Sequence, residues 1–275
     1  MPSDKRDRQR QNREQKRKRE ERSRRLKLIR RRLVQAVWFA LIVAGVVTVS
    51  NLIERSNTSA TTTTSATSTT TQPSDLGATF DEYRAQPTAC GATAPPPAQE
   101  MQFDAPVDQQ LDPNTPVTAT ISTSCGDIVI QLDPKLAPEA ANSFVFLARQ
   151  GYFDGTVFSR IVPGFVIQGG DPTATNTGGP GYVLPDEYPA AGFAYDRGTV
   201  AMANAGAGST GSQFFIALGA TGLDPNYSPL GTVIEGDATL DAIANVPVGP
   251  NATGVETSRP LETVYIDSVT INVGA

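Results

Sequence analysis

Leu33 to Ile53, LVQAVWFALIVAGVVTVSNLI, is a run of 21 residues without one charged side chain. It limits how much of the chain can fold as a globule. A helix of that length, at about 1.5 Å rise per residue, matches the roughly 30 Å hydrocarbon core of a bilayer. The run separates two parts of opposite charge. Residues 1–32 carry 16 Lys and Arg against 5 Asp and Glu, and the rest of the chain carries 7 against 23. The arm has no apolar face, so it reads as solvated. A cationic block ahead of an apolar span orients it with the N-terminus in the cytoplasm and the rest of the chain outside. A cleaved signal peptide or a buried core helix are the alternatives. The run is longer than a typical signal, and no A-x-A site follows closely. The expectation is a single-pass cell-membrane protein anchored through Leu33–Ile53. Topogenic charge accounts for the arm at 1–32, and no nucleic-acid partner is expected.

Residues 54–78 contain the tract SNTSATTTTSATSTTTQPS, which cannot bury enough apolar surface to fold and reads as a disordered stalk. Residues 79–116 mix aromatics (Phe80, Tyr83, Phe103) with prolines and read as an irregular extension. The core domain is expected at 117–275, ample for one hydrophobic core. Cys90 and Cys125 fall outside the membrane on this topology, where disulfides persist. A bridge would tie the extension to the first hairpin; two separate buried thiols are the alternative.

Within 117–275 the apolar pattern is mostly of period two. VTATIS (117–122) and DIVIQLD (127–133) flank Cys-Gly as a β-hairpin. PEAANSFVFLARQ (138–150) has Pro at its first helical position and Gly151 past its end. TVF, FVIQ, TVAMA, QFFIAL and TVIE are short strand candidates, DATLDAIANV (237–246) is a second helix, and ETVYIDSVTINV (262–273) is a closing strand. Many short strands with two helices predict a mainly β barrel or sandwich with helical caps.

Composition then removes most chemistries. The chain has no histidine and two cysteines, which excludes His-based triads, Cys–His dyads, His-ligated zinc and Cys₄ metal sites. No Gly-rich phosphate loop is present, and no metal or cofactor is expected. What remains is carboxylate chemistry, or catalysis by positioning and hydrogen bonding. Two dense blocks point to the latter. FSRIVPGFVIQGGD (158–171) holds one cation, Arg160, in an apolar run closed by Asp171, and MANAGAGSTGSQFFI (202–216) is uncharged and rich in small residues and amides. A buried arginine is costly unless a task is asked of it. Asp171 reads as a turn or cap residue, and Asp186 with Glu187 as a solvated acidic pair.

These blocks, with GGPGY (178–182) and LDP-Y-PLG (223–231), resemble the cyclophilin family of peptidyl-prolyl isomerases over roughly 117–273. Basic arm, span and stalk together are similar to membrane-anchored bacterial cyclophilins. The resemblance implies a closed eight-stranded antiparallel β-barrel capped by two α-helices, here preceded by one transmembrane helix. It implies Arg160 as the catalytic arginine and Phe165 and Phe215 as aromatics of the proline pocket. Val166 stands where the family commonly has Met. Gln168 matches the glutamine that orients the arginine and contacts substrate. Ala203 and Asn204 match the strand edge that binds substrate backbone, Gln213 a neighbouring amide contact, and Leu223 the apolar rim. Tyr227 replaces a pocket His, Gly222 replaces the tryptophan of cyclosporin-sensitive members, and Leu230 replaces a usual Phe. Weak cyclosporin binding is therefore expected.

The physics of the reaction agrees with this kit. Rotating an X–Pro amide breaks its resonance against a barrier of about 18–20 kcal/mol, and uncatalysed exchange takes roughly tens to hundreds of seconds. An enzyme need only bind the twisted amide better than the planar one. The twisted prolyl nitrogen regains a lone pair to which a guanidinium can donate. The expected function is a prolyl isomerase acting on proline-containing exported or cell-surface polypeptides. The alternative is a non-catalytic Pro-peptide module or holding chaperone on the same barrel.

Overall fold

The strict alternation of VTATIST against GDIVIQL forms a hairpin in the computed structural model, which describes residues 79–274. Strands β1 (Val117–Thr123) and β2 (Gly126–Leu132) pair from Val117–Leu132 to Thr123–Gly126. Their alternate residues Val117, Ala119, Ile121, Ile128, Ile130 and Leu132 are buried, as period two requires of a half-buried sheet.

Six more strands complete one antiparallel sheet: β3 (Arg160–Val162), β4 (Val166–Gly169), β5 (Thr199–Met202), β6 (Phe214–Ala217), β7 (Pro229–Glu235) and β10 (Ile266–Val273). Their spatial order is β10-β1-β2-β7-β5-β6-β4-β3. The sheet is curled, and its ends approach each other. Gly155 and Phe158 donate to the carbonyls of Ile266 and Val264, and Ile266 donates to that of Thr156, at 2.8–3.0 Å. The stretch TVF, expected as a strand, contributes only single bridges at Val157. A separate small hairpin, β8 (Val248–Pro250) with β9 (Thr257–Pro260), was not anticipated in the sequence; its prolines and weak alternation conceal it.

Among the described residues three α-helices accompany the sheet: α1 (Phe80–Arg84), α2 (Pro138–Arg149) and α3 (Asp237–Ala244). In α2 the residues Ala140, Phe144 and Leu147 recur at helical spacing and are fully buried against the sheet. There Phe144, Phe153, Phe158 and Phe214 form a chain of edge-on or tilted ring contacts with centroids 5.1–6.2 Å apart, the separation such pairs prefer.

The extension packs on this core. Tyr83 is buried and donates from its hydroxyl to the Ser159 carbonyl at 2.9 Å, and Thr263 Oγ1 donates to the Tyr83 carbonyl at 2.6 Å. Phe103 lies edge-on to Phe146 with centroids 5.0 Å apart. Cys90 and Cys125 are joined by a disulfide with their Cα atoms 5.2 Å apart, linking the extension to the β1–β2 turn. Among the described residues no helix is long and apolar enough to cross a membrane. The expected arm, span and stalk, including Leu33–Ile53, lie outside the described residues.

Candidate active site

The two motif blocks meet because β4 pairs with both β3 and β6. Arg160 faces Gln168 across the β3–β4 hairpin, and Gln168 faces Phe215 on β6. The close approach explains the glycines of QGGD. Gly170 has φ +85°, and a Cβ there would stand 2.6 Å from the Ser212 carbonyl. Asp171, fully buried, closes the motif by accepting from Thr173 N and Oγ1 at 2.7 Å and from Gly178 N at 3.0 Å. It is a loop cap.

One groove of about 680 Å³ opens on this face. Arg160, Phe165, Val166, Gln168, Ala203, Asn204, Gln213, Phe215, Leu223 and Tyr227 all line it. Its floor is apolar. Val166, Ala201 and Phe215 are buried together with Tyr195, and Phe165, Leu223 and Tyr227 pack around them. The rings of Phe215 and Tyr227 meet edge-on at 5.4 Å. Leu230, which the sequence suggests as a smaller pocket residue, is instead fully buried in the main core and does not line the groove.

Tyr195 has no counterpart in the sequence reading. Its hydroxyl donates to the Tyr227 carbonyl at 2.6 Å and accepts from the Tyr227 amide at 3.1 Å, so it holds the loop that presents Tyr227. Burial pushes its phenol above the ordinary tyrosine range. A lone Tyr in FAYDRG carries no periodic signal that marks this role.

The polar rim is a relay of amides. Gln168 Nε2 donates to Gln213 Oε1 at 3.0 Å, and Gln213 Nε2 donates to the Gly178 carbonyl at 3.0 Å. The Asn204 side chain donates to the Asn226 carbonyl at 2.9 Å. The Asn204 backbone N–H makes no hydrogen bond among the described residues and is free for an extended ligand.

The arginine differs from expectation in one respect. Gln168, read as its orienting partner, donates to Gln213 and makes no hydrogen bond to the guanidinium among the described residues. The guanidinium is instead gripped by Glu256, from the β8–β9 loop: Nε donates to Oε2 at 2.7 Å and Nη2 to Oε1 at 2.8 Å. Arg160 also lies against Phe165, with Cζ 5.8 Å from the ring centroid, within cation–π reach. Its hydrogen bonds and charge hold the Glu256 carboxyl below the usual carboxylate range. Nothing in NATGVETSRP (251–260) signals that its Glu reaches a residue so distant in sequence. The acidic pair is also not merely solvated. Glu187 accepts from Glu139 N and Ala140 N at 3.1 and 2.9 Å, capping the first turn of α2, and Asp186 accepts from Gly208 N at 2.9 Å.

A curled antiparallel sheet bearing an apolar groove, one arginine at its edge and an amide rim defines the class of site found here. Comparison with known proteins agrees. The model of the family "Cyclophilin type peptidyl-prolyl cis-trans isomerase/CLD" matches residues 118–271. Peptidyl-prolyl cis-trans isomerase B of Streptomyces anulatus is 41% identical over 172 residues, covering 56% of this chain and 95% of that protein. Peptidyl-prolyl cis-trans isomerase A of Mycobacterium tuberculosis is 39% identical over 180 residues, covering 58% of this chain and 94% of its own. Among solved structures, a cyclophilin type peptidyl-prolyl cis-trans isomerase of Cryptosporidium parvum superposes with a TM-score of 0.52 at 31% identity, over 57% of this chain and 98% of that one. A structure of it in the presence of the dipeptide Ala-Pro gives a TM-score of 0.51 at 33% identity, over 56% and 98% of the two chains. The chain belongs to the cyclophilin-type peptidyl-prolyl cis-trans isomerases, enzymes that exchange the two isomers of an X–Pro bond.

Proposed function

We propose that this isomerase acts on proline-containing polypeptides outside the cytoplasm, with Arg160 as its catalytic group. The proline ring would sit on the floor made by Val166, Phe215 and Leu223, with Phe165 and Tyr227 beside it. Ala203 and Asn204 would hold the substrate backbone, and Gln168 and Gln213 would face its carbonyls. As the amide twists, Arg160 donates to the lone pair that returns to the prolyl nitrogen. That interaction is absent from the planar ground state, so it lowers the barrier rather than merely tightening binding. The Ala-Pro dipeptide of the Cryptosporidium parvum structure supports a proline-containing ligand here.

The observation that carries this reading is the place of Arg160, a cation at the edge of an otherwise apolar floor. The test is a cis–trans exchange assay on a short X–Pro peptide with the full chain. Replacing Arg160 by Ala is expected to lower kcat/KM by about 10²–10³-fold, the usual loss for one preorganised donor. Equal turnover by wild type and Arg160→Ala would remove the arginine from the mechanism. A holding module without turnover is the weaker reading, because the relatives are named as isomerases.

The remaining architecture belongs to the same proposal. The hydrogen bonds between 155–158 and 264–266 support a sheet that closes into a barrel, capped by α2 and α3. The chain would be organised as arm (1–32), membrane helix (33–53), stalk (54–78), extension (79–116) and isomerase domain (117–275). The uncharged run after a basic block and the Cys90–Cys125 disulfide both support an extracytoplasmic, membrane-anchored domain.

A further inference from the structure

Arg160 and Glu256 are separated by 96 residues yet form the only two-point ion pair among the described residues. The loop carrying Glu256 is itself fixed. Asn251 N donates to the Glu256 carbonyl at 2.8 Å, and Asn251 Oδ1 accepts from Thr253 Oγ1 at 3.0 Å and from Glu256 N at 3.4 Å. Strand β9, which follows the loop, packs alongside β3, the strand of Arg160. Glu256 does not line the groove, whereas Arg160 does. The carboxylate therefore holds the guanidinium from outside the groove. It occupies Nε and Nη2 and leaves Nη1 without a hydrogen bond among the described residues.

We propose that Glu256 is the positioning residue of the catalytic arginine, fixing the guanidinium plane so that its remaining donor edge serves the X–Pro amide. The proposal rests on the isomerase reading of Arg160. A free arginine side chain carries large rotamer entropy, and a bidentate carboxylate removes it before substrate arrives. Neutralising the cation does not defeat the reaction, because the acceptor is the uncharged lone pair of a twisted amide. Direction of the donor therefore matters more than net charge. Gln168 makes no hydrogen bond to the guanidinium among the described residues; its Nε2 donates to Gln213 instead.

The experiment compares wild type, Glu256→Gln, Glu256→Asp and Arg160→Ala as full chains on the same X–Pro peptide, resolving kcat from KM. Glu256→Gln keeps shape and fold but sets an N–H₂ donor against an arginine donor. It is expected to lower kcat about 10-fold with KM nearly unchanged, since misplacing a catalytic group by about 1 Å can lose up to 10²-fold. Glu256→Asp keeps the charge and is expected to recover part of the loss, which a purely packing role would not predict. If Arg160→Ala is inactive while Glu256→Gln retains wild-type kcat, the positioning role is overturned and the isomerase reading stands. A gain of kcat in Glu256→Gln would overturn it equally, by making the pair a brake. Absence of turnover in the wild type would overturn the isomerase reading and this inference together.

Discussion

Gly222 sits at φ +65°, and a Cβ built there meets nothing within 4 Å. Space is therefore not what keeps a larger residue out of this rim position; the left-handed backbone is. The family resemblance places the tryptophan of cyclosporin-sensitive members at this position, so here the indole donor and its apolar face would both be missing. Val166 further shortens one wall. Cyclosporin is expected to bind weakly, in the micromolar range or above, given that one lost polar anchor plus its apolar area removes about 2–4 kcal/mol. A titration calorimetry measurement giving a nanomolar Kd would refute this. Substrate turnover should be spared, because Gly222 does not line the floor beneath the proline.

At the scale of elements, the legible parts were those where neighbours in sequence are neighbours in space. The β1–β2 hairpin is announced by alternation, and FSRIVPGFVIQGGD is a hairpin that carries Arg160 and Gln168 on facing strands. The ten groove residues come from three segments that strand pairing such as β4 with β6 brings together, and it is the motif blocks, not sequence proximity, that make them legible. Contacts set by tertiary packing were not legible. Glu256 comes from a polar, proline-flanked hairpin, Tyr195 acts through a distant main chain, and Glu187 caps a helix far before it in sequence. The extension shows the same division. Its irregularity is evident in its prolines, but its buried anchor Tyr83 is visible only once Ser159 and Thr263 are placed beside it. The Cys90–Cys125 link closes a sequence separation of 35 residues. By loop entropy, opening it should destabilise the domain by about 4 kcal/mol. Urea unfolding of Cys125→Ser against the oxidised wild type checks this; an unchanged midpoint would show that the extension is held by packing alone. Isomerase turnover should be nearly unaffected, since neither cysteine lines the groove.

Taken whole, the chain places its positive charge and its enzyme at opposite ends. Residues 1–32 hold 16 of the 23 Lys and Arg, while the described domain is acidic. A basic arm is drawn to the anionic cytoplasmic leaflet, and an acidic domain is not. On the proposed reading, the groove would take an extended peptide rather than a folded surface, and its substrates would be chains not yet folded, such as those emerging on the far side of a membrane. Isomerisation at rates of tens to hundreds of seconds would be slow for such chains, and an enzyme tethered near their point of exit meets them at high local concentration. The expected outcome is that the full chain sediments with membranes through an alkaline wash, and that protease added to cells with a permeabilised outer envelope digests residues 79–275 while sparing the arm. Removing residues 1–53 and re-targeting the remainder by a cleavable export signal should release a domain with unchanged kcat/KM. A full chain that stays in the wash supernatant and resists external protease would place the enzyme in the cytoplasm, and would leave the oxidised Cys90–Cys125 pair without the compartment that sustains it.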